Sequence, residues 1–248
     1  MKIEVKNLHK SFGDNVVFRG LDLTIPEGEI SIILGGSGSG KSVLLKHLIG
    51  LMKPDSGEIL IDGKDITTLS ERDMFPLRRR MGMIFQTGGI LASLPVGENV
   101  ALGLKEHRLV PKNEIPEIVR EKLAVVNLEG KENEMPANLS GGMKKRVSIA
   151  RALTLNPELF LYDEPTSGLD PPMAEKIDEL ILDLTEELNA TSVVVTHDLD
   201  SVKKLNGIVN MLHEGRIVES APADEFVKSE KDIVKNFLSR GHLAERYN

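Results

Sequence analysis

Glu29-Ile30-Ser31-Ile32-Ile33-Leu34-Gly35-Gly36-Ser37-Gly38-Ser39-Gly40-Lys41-Ser42-Val43-Leu44-Leu45-Lys46-His47-Leu48 carries the fold decision. Glu29 to Leu34 reads as a buried strand, and Lys41 to Leu51 as a helix with Leu44, Leu45 and Leu48 on its inner face. Between them, Gly35 to Ser42 satisfies G-x-x-x-x-G-K-[ST] at every position. Glycines let the chain turn tightly and aim successive N–H groups at one point, and the following helix N-terminus adds positive potential there. Lys41 supplies a full charge to terminal phosphates, and the Ser42 hydroxyl is placed to ligate Mg²⁺. The competing reading is a flexible Gly/Ser linker. Linkers, however, do not follow a buried strand and end in Lys-Ser before an apolar helix.

Outward from this loop, strands alternate with helices. Leu159 to Tyr162 and Ser192 to Val195 read as short buried strands, and about Pro171 to Leu188 as a helix with Ile177, Ile181, Leu184 and Leu188 at helical spacing. This order predicts an α/β fold with a mainly parallel sheet covered on both faces. Before the loop, Ile3 and Val5, then Leu21, Leu23 and Ile25, alternate as antiparallel strands around a Gly13-Asp14 turn. Ile208 to Leu212 and Arg216 to Val218, joined by Glu214-Gly215, predict a closing hairpin. From about Thr87 to Asn156, Pro95, Pro111, Pro116 and Pro136 punctuate short helical patterns, which predicts a helical lobe inserted into the core. Its last helix starts at Ser140, a good N-cap. The expected organisation is a core of 1–86 and 157–222, a helical subdomain of 87–156, and a C-terminal helix over Ala223 to Ser239 followed by a polar tail to Asn248.

The strand ending at Tyr162 delivers Asp163 and Glu164 to the carboxyl edge of the sheet, where ligands of α/β folds bind. Asp163 is the candidate for the Mg²⁺ shell and Glu164 for the general base that polarises an attacking water. The plainer alternative is an Asp-Glu turn at a strand end. A phosphate loop upstream weighs against it.

Bulk properties narrow the classes further. With 40% hydrophobic and 28% charged residues, 248 residues suffice for one large core. The net charge of −7 and 4% aromatics, with no Trp, argue against a nucleic-acid partner. The chain has no cysteine, so disulfides, thiolate nucleophiles and cysteine-based zinc sites are excluded. The first residues lack the apolar block of a signal peptide, and no stretch approaches the roughly 20 apolar residues of a membrane span. Service to a membrane would therefore run through a partner, from the water side.

With these residues in place, the chain resembles the ABC ATPases over nearly its full length. The resemblance rests on the order of the phosphate loop and Asp163-Glu164 with four further segments. Leu139-Ser140-Gly141-Gly142-Met143 resembles the family signature, Gln86 the Q-loop glutamine, Ser167-Gly168-Leu169-Asp170 the D-loop, and His197 the switch histidine. Phe12 sits where the family places an aromatic against adenine. The resemblance implies a P-loop NTPase core with an N-terminal antiparallel β subdomain and an inserted α-helical subdomain. It implies ATP bound by Phe12 and by Gly35, Gly36, Ser37, Gly38, Ser39, Gly40, Lys41, Ser42 and Val43. Mg²⁺ would be held by Ser42, Gln86 and Asp163, and hydrolysis supported by Glu164, His197, Lys41 and Gln86. Ser140, Gly141 and Gly142 would reach the nucleotide of a second ATPase subunit, with Asp170 in the same interface. Taken singly, Phe12 also reads as a core residue and His197 as an ordinary strand-end histidine.

Met143 departs from the usual glutamine of the signature. With Phe85-Gln86-Thr87-Gly88-Gly89-Ile90-Leu91, Val96-Gly97-Glu98-Asn99-Val100 and Glu106-His107, it resembles the Mla/Mkl-type ATPases of phospholipid transport. That likeness implies an integral membrane permease, an MCE-domain lipid-binding partner and a place at the cytoplasmic face of the inner membrane. A small-solute importer and a soluble, permease-free ABC ATPase are the alternatives. Thr87 to Asn99 either lines a groove for a permease helix or packs inside the lobe. Arg78-Arg79-Arg80 either faces anionic headgroups or forms a solvated face with ion pairs.

Overall fold

The computed structural model describes residues 1–244, with side chains to residue 239. The N-terminal alternation becomes β1 (Ile3–Phe12) and β2 (Asn15–Ile25), paired antiparallel. With β4 (Ser56–Ile61) and β5 (Lys64–Asp65) they form a four-stranded sheet in the order β2-β1-β4-β5.

The second sheet positions the site. It comprises β3 (Ile30–Leu34), β6 (Met81–Ile84), β7 (Leu159–Asp163), β8 (Thr191–Thr196), β9 (Ile208–His213) and β10 (Arg216–Pro222), in the order β10-β9-β3-β8-β7-β6. Only the β9–β10 hairpin is antiparallel. Register aligns the strand ends: Leu34 faces Thr196, Asp163 faces Val195, and Ile84 faces Tyr162. All four chains therefore leave the sheet along one edge.

Side chains of the central strands alternate between two cores, as the pleat requires. Ile32, Leu34, Phe160, Tyr162 and Val194 pack into the core shared with the helical lobe. Ile33, Leu159, Leu161, Val193 and Val195 pack into the core shared with the antiparallel sheet and α1 (Lys41–Leu48). Both faces are buried, which is why these strands are continuously apolar rather than alternating.

The helical lobe consists of α3 (Val96–His107), α4 (Ile115–Val125) and α5 (Gly141–Leu153), with a short 3₁₀ turn at Pro136–Asn138. The lead-in to α3 is fixed by one buried amide. Asn99 Oδ1 accepts from Leu91 N at 2.6 Å, and Nδ2 donates to the carbonyls of Leu91, Leu94 and Pro95 at 2.9–3.2 Å. Leu91 and Ala92 are exposed while Ile90 and Leu94 are half-buried, so the 87–99 segment divides between surface and lobe interior.

Two expectations need correction, and of the two readings of the arginine run the ion-paired one holds. The single C-terminal helix is two, α8 (Ala223–Phe226) and α9 (Asp232–Ala244), separated at 227–231. Helical backbone continues through 240–244, where a polar tail was expected; residues 245–248 of that tail lie outside the described residues. Arg78 and Arg80 are engaged within the protein. Arg78 belongs to α2 (Glu71–Arg78) and binds Glu71 at 2.7 Å and the carbonyls of Ile49 and Gly50. Arg80 grips Glu158 through two hydrogen bonds of 2.6 and 2.7 Å.

Helices α6 (Pro171–Glu187) and α7 (Leu199–Leu205) meet over a buried carboxylate. Ser201 Oγ donates to Asp178 Oδ2 at 2.8 Å and lies 3.3 Å from Thr166 Oγ1. Burial is the main cause that pushes the Asp178 carboxyl up to about 6, against the pull of the Ser201 hydrogen bond. Between about pH 4 and 6 the folded chain keeps a proton there that the unfolded chain has lost. Stability therefore falls as pH rises through that window, and ionised Asp178 costs up to about 3 kcal/mol above it. Asp178→Asn is expected to be more stable than the parent in urea melts at pH 8, with the gap closing at pH 4. A gap that grows towards pH 4 would show that this carboxylate is ionised and stabilising.

Candidate functional site

The phosphate-loop glycines stay open to solvent at Gly36 and Gly38, whereas Lys41 is only 7% exposed. Its ammonium donates to Gly35 O at 2.9 Å and Gly36 O at 3.1 Å, and its Nζ stands 3.4 Å from Glu164 Oε1. Glu164 in turn takes His197 Nδ1 at 2.8 Å through Oε2. Ser42 Oγ donates to Asp163 Oδ1 at 2.8 Å. Five predicted site residues from β3–α1, β7 and β8 thus form one contiguous polar cluster. Burial, the largest influence, raises the Asp163 carboxyl above its ordinary range; the Ser42 hydrogen bond and Lys41 oppose this, and Glu164 adds to it.

Glu164 is in the left-handed region at φ 48°, a conformation that costs a non-glycine residue of order 1 kcal/mol or more. Three backbone contacts hold it there. Its N–H donates to Val195 O at 2.9 Å, and its carbonyl accepts from Ser167 N and from the Lys145 ammonium, each at 3.2 Å.

Gln86 lies at the rim. It is exposed, and its Nε2 is 3.4 Å from Ser167 Oγ, beside the segment that ends at Asp170. Asp170 caps α6 by accepting from Met173 N at 3.0 Å. Ser140 caps α5 by accepting from Met143 N at 3.3 Å, which leaves the first N–H groups of that helix for an outside acceptor. Gly142 packs closely on α6: an added Cβ would come within 2.5 Å of Met173 Cε, so that flexible side chain would have to move aside. Among the described residues, no hydrogen bond or ion pair joins Ser140–Gly142 to Gly35–Ser42. Phe12 also stands apart. It is 47% exposed at the end of β1, with the Lys10 ammonium 5.5 Å from its ring centroid. Val43 is half-buried in the first turn of α1.

Sequence reasoning passed over Lys145, Ser148 and Arg151, which donate from α5 to backbone carbonyls of the Gln86 loop. Their three-residue spacing was the available signal. A separate groove of about 1040 Å³ opens between α3 and α4, floored by Ala101, Leu104, Ile115 and Val119; no predicted nucleotide-site residue lines it, whereas Pro95, Gly97 and Glu98 of the 87–99 segment do.

Comparison with known proteins bears on this geometry. The family model for the ABC transporter domain matches residues 18–167. The chain is 41% identical over 239 residues to a protein of Mycobacterium tuberculosis described as a "probable ribonucleotide transport ATP-binding protein mkl", covering 96% of this chain and 67% of that one. It is 41% identical to the intermembrane phospholipid transport system ATP-binding protein MlaF of Haemophilus influenzae, over 95% of this chain and 89% of that protein. It is 43% identical to the methionine import ATP-binding protein MetN of Mesorhizobium japonicum, over 95% and 65% respectively. Among solved structures, the dimeric post-hydrolysis state of the ATP-binding cassette MJ0796 bound to ADP and Pi superposes with a TM-score of 0.81 at 34% identity. It covers 89% of this chain and 98% of that one. CbiO1 of Clostridium perfringens, part of a cbiONQ ABC transporter complex, gives 0.83 at 32% identity, with 98% of each chain covered.

Gly40 provides a direct test of the loop. Its φ is +102°, and an added Cβ would stand 2.8 Å from Val17 Cγ1 and 3.0 Å from Phe18 Cε1. A side chain there forces the loop out of this conformation and misaims its N–H groups, and about 1.4 kcal/mol lost from binding is tenfold in affinity. Gly40→Ala is expected to weaken binding of a fluorescent ATP analogue at least tenfold. Unchanged affinity would mean that this loop does not set the nucleotide's position.

Proposed function

The chain belongs to the ABC transporter family as an ATP-hydrolysing subunit, and from that premise we propose that it energises phospholipid movement through a membrane permease, working as a pair of copies. The observation that carries the catalytic reading is the joined cluster of Lys41, Ser42, Asp163, Glu164 and His197 at one sheet edge.

In this reading the N–H groups of Gly36 to Lys41 and the Lys41 ammonium receive the β- and γ-phosphates. Glu164 holds the attacking water and accepts its proton, and His197 fixes that carboxylate's orientation through the 2.8 Å contact. Gln86 senses the terminal phosphate from the rim, and Phe12 stacks on the adenine. The residues suit Mg²⁺. A hydroxyl and a buried carboxylate lie 2.8 Å apart, both hard oxygen donors, and a cation beside Asp163 relieves the burial that raises its pKa. Among the described residues no group of three His, Asp or Glu forms a metal cage. Ser42 and Asp163, with Gln86 from the rim, are the residues that would hold the ion together with a bound nucleotide. Bound there, it neutralises phosphate charge.

The free N-terminus of α5 needs an anion that the chain's own phosphate loop does not bring to it. A second copy supplies that anion as its γ-phosphate, giving two composite sites in a two-fold pair with Asp170 at the shared boundary. The MJ0796 cassette, whose solved form is dimeric, supports this arrangement. The division into a core of 1–86 and 157–222, a helical lobe of 87–156 and a C-terminal element belongs to the same reading.

No described helix is long and apolar enough to cross a membrane; membership of the ABC transporter family supports work delivered to the bilayer through a permease. The Met143 signature, the 85–100 segment and the likeness to MlaF support a phospholipid cargo, an MCE-domain partner and a station at the cytoplasmic face of the inner membrane. A methionine-type importer is the second reading, favoured by 43% identity to MetN.

Glu164→Gln is expected to keep ATP binding, hold the pair closed in gel filtration with ATP, and cut hydrolysis by about 10²–10⁴-fold. An active variant would remove Glu164 from the role of base. For the cargo, the complex purified with its membrane partners should carry phospholipid and move labelled phospholipid between vesicles on adding Mg-ATP. ATPase stimulation by methionine with no lipid transfer would select the importer instead.

A further inference from the structure

One face of α5 is a ladder of donors. Lys145, Ser148 and Arg151 recur every three residues, so they lie along one side of the helix. Lys145 Nζ donates to Gln86 O, Ser148 Oγ to Gly88 O, and Arg151 to Gly89 O at 2.7 Å and to Gly88 O at 3.3 Å. Gly88 and Gly89 are both left-handed, at φ 78° and 58°, so the chain winds tightly enough to present these carbonyls to one helix face. Lys145 differs from the other two rungs because it also reaches the Glu164 carbonyl at 3.2 Å. It is only 5% exposed, and no carboxylate lies within ion-pair distance of its ammonium among the described residues. Its nearest acidic groups, Asp163 and Glu164, act on it at longer range.

A buried ammonium held by backbone carbonyls is a costly way to fill space. A methionine would fill it without the desolvation cost. Its donors instead tie together two backbone segments that carry candidate catalytic side chains and that differ in sequence by 78 positions (Gln86 and Glu164). We propose that Lys145 is a positioning residue for hydrolysis, holding the Gln86 loop and the left-handed Glu164 backbone on one point of α5 so that both move with that helix. Its donors go to the backbone carbonyls of Gln86 and Glu164, and it acts through those two residues. The consequence is directional. A push on the Gln86 loop reaches Glu164 and the N-terminus of α5 together, rather than being absorbed by loop flexing.

The inference rests on the ATPase reading above, and the experiment separates the two. Steady-state Mg-ATP hydrolysis, equilibrium binding of a fluorescent ATP analogue and thermal melts are measured for the full chain and for K145M, K145R, S148A, Q86A and Q86A/K145M. K145M is expected to lower kcat at least tenfold while KM and nucleotide affinity stay within threefold. K145R should recover part of the rate, and S148A should lose two- to fivefold. K145M should cost less in the Q86A background than in the parent, since part of its effect runs through Gln86. Parent-like kcat in K145M, equal costs in both backgrounds, or loss of nucleotide affinity in step with kcat would each overturn the proposal. Should K145M fail to fold, S148A decides, because it removes one rung without a buried charge, and unchanged kcat there overturns it. A parent chain that hydrolyses no ATP would defeat the ATPase reading itself.

Discussion

An ammonium taken out of water has to be surrounded by acceptors, and at the carboxyl edge of this sheet the rest of the site is arranged around that need. Lys41 is nearly buried, and its partners are Gly35 O, Gly36 O and Glu164. Two of the three come from the loop that the lysine itself closes, which explains why the glycines and the lysine must sit at fixed spacing. The third is the carboxylate assigned to activate water. In the proposed reading, a terminal phosphate gains Lys41 by replacing Glu164 as its anion, and the step then follows from the closed network. That exchange leaves Glu164 oriented by His197 alone, with its other oxygen free for a water. Binding and activation of the base are then the same event, coupled by one charge.

Parallel register makes the exchange possible. Leu34, Asp163 and Thr196 end level with one another, so side chains from distant parts of the sequence reach one point without long excursions. Strand ends are also rigid, and the left-handed Glu164 persists because Val195 O, Ser167 N and Lys145 over-determine it. Strain at the catalytic position is thus held by contacts that lie outside it.

What the sequence discloses depends on the range of the interaction. The phosphate loop, the buried strands around Ile32, Leu161 and Val194, and the cap at Ser140 are legible because each is decided by a few neighbouring residues. β6 goes unseen because Met81-Gly82-Met83-Ile84 is too short and too weak in β-branched residues to stand out. Its place comes from pairing with β7. The arginine run at 78–80 leaves two readings open because its partners, Glu71, Glu158 and the carbonyls after α1, are set only by tertiary contact. Asn99 and Lys145 are opaque for a related reason. Both spend their donors on backbone carbonyls, and a carbonyl leaves no mark on the residue type that offers it. The divided C-terminal helix failed in the opposite way, since the helical pattern persists across 227–231 where the chain turns.

The same distinction bears on cargo. The candidate nucleotide site is built from backbone groups, one lysine, one serine, two carboxylates and a histidine, none of which carries information about what is transported. Relatives described with different cargoes share similar identity with this chain, as expected if the engine is common to them. In the proposed reading, cargo leaves its mark on the surface that meets a permease, and the 85–100 segment is the candidate for where that surface adjoins the engine. There the backbone is fixed, by Asn99 on one side and the α5 ladder on the other, while Leu91 and Ala92 face outward. A backbone clamped on its inner side leaves its outer side chains free to change with the partner without disturbing the carbonyls that hold Gln86 in place. The candidate partner-facing segment is therefore also one whose main chain is tied by hydrogen bonds to the helix that reaches the Glu164 carbonyl.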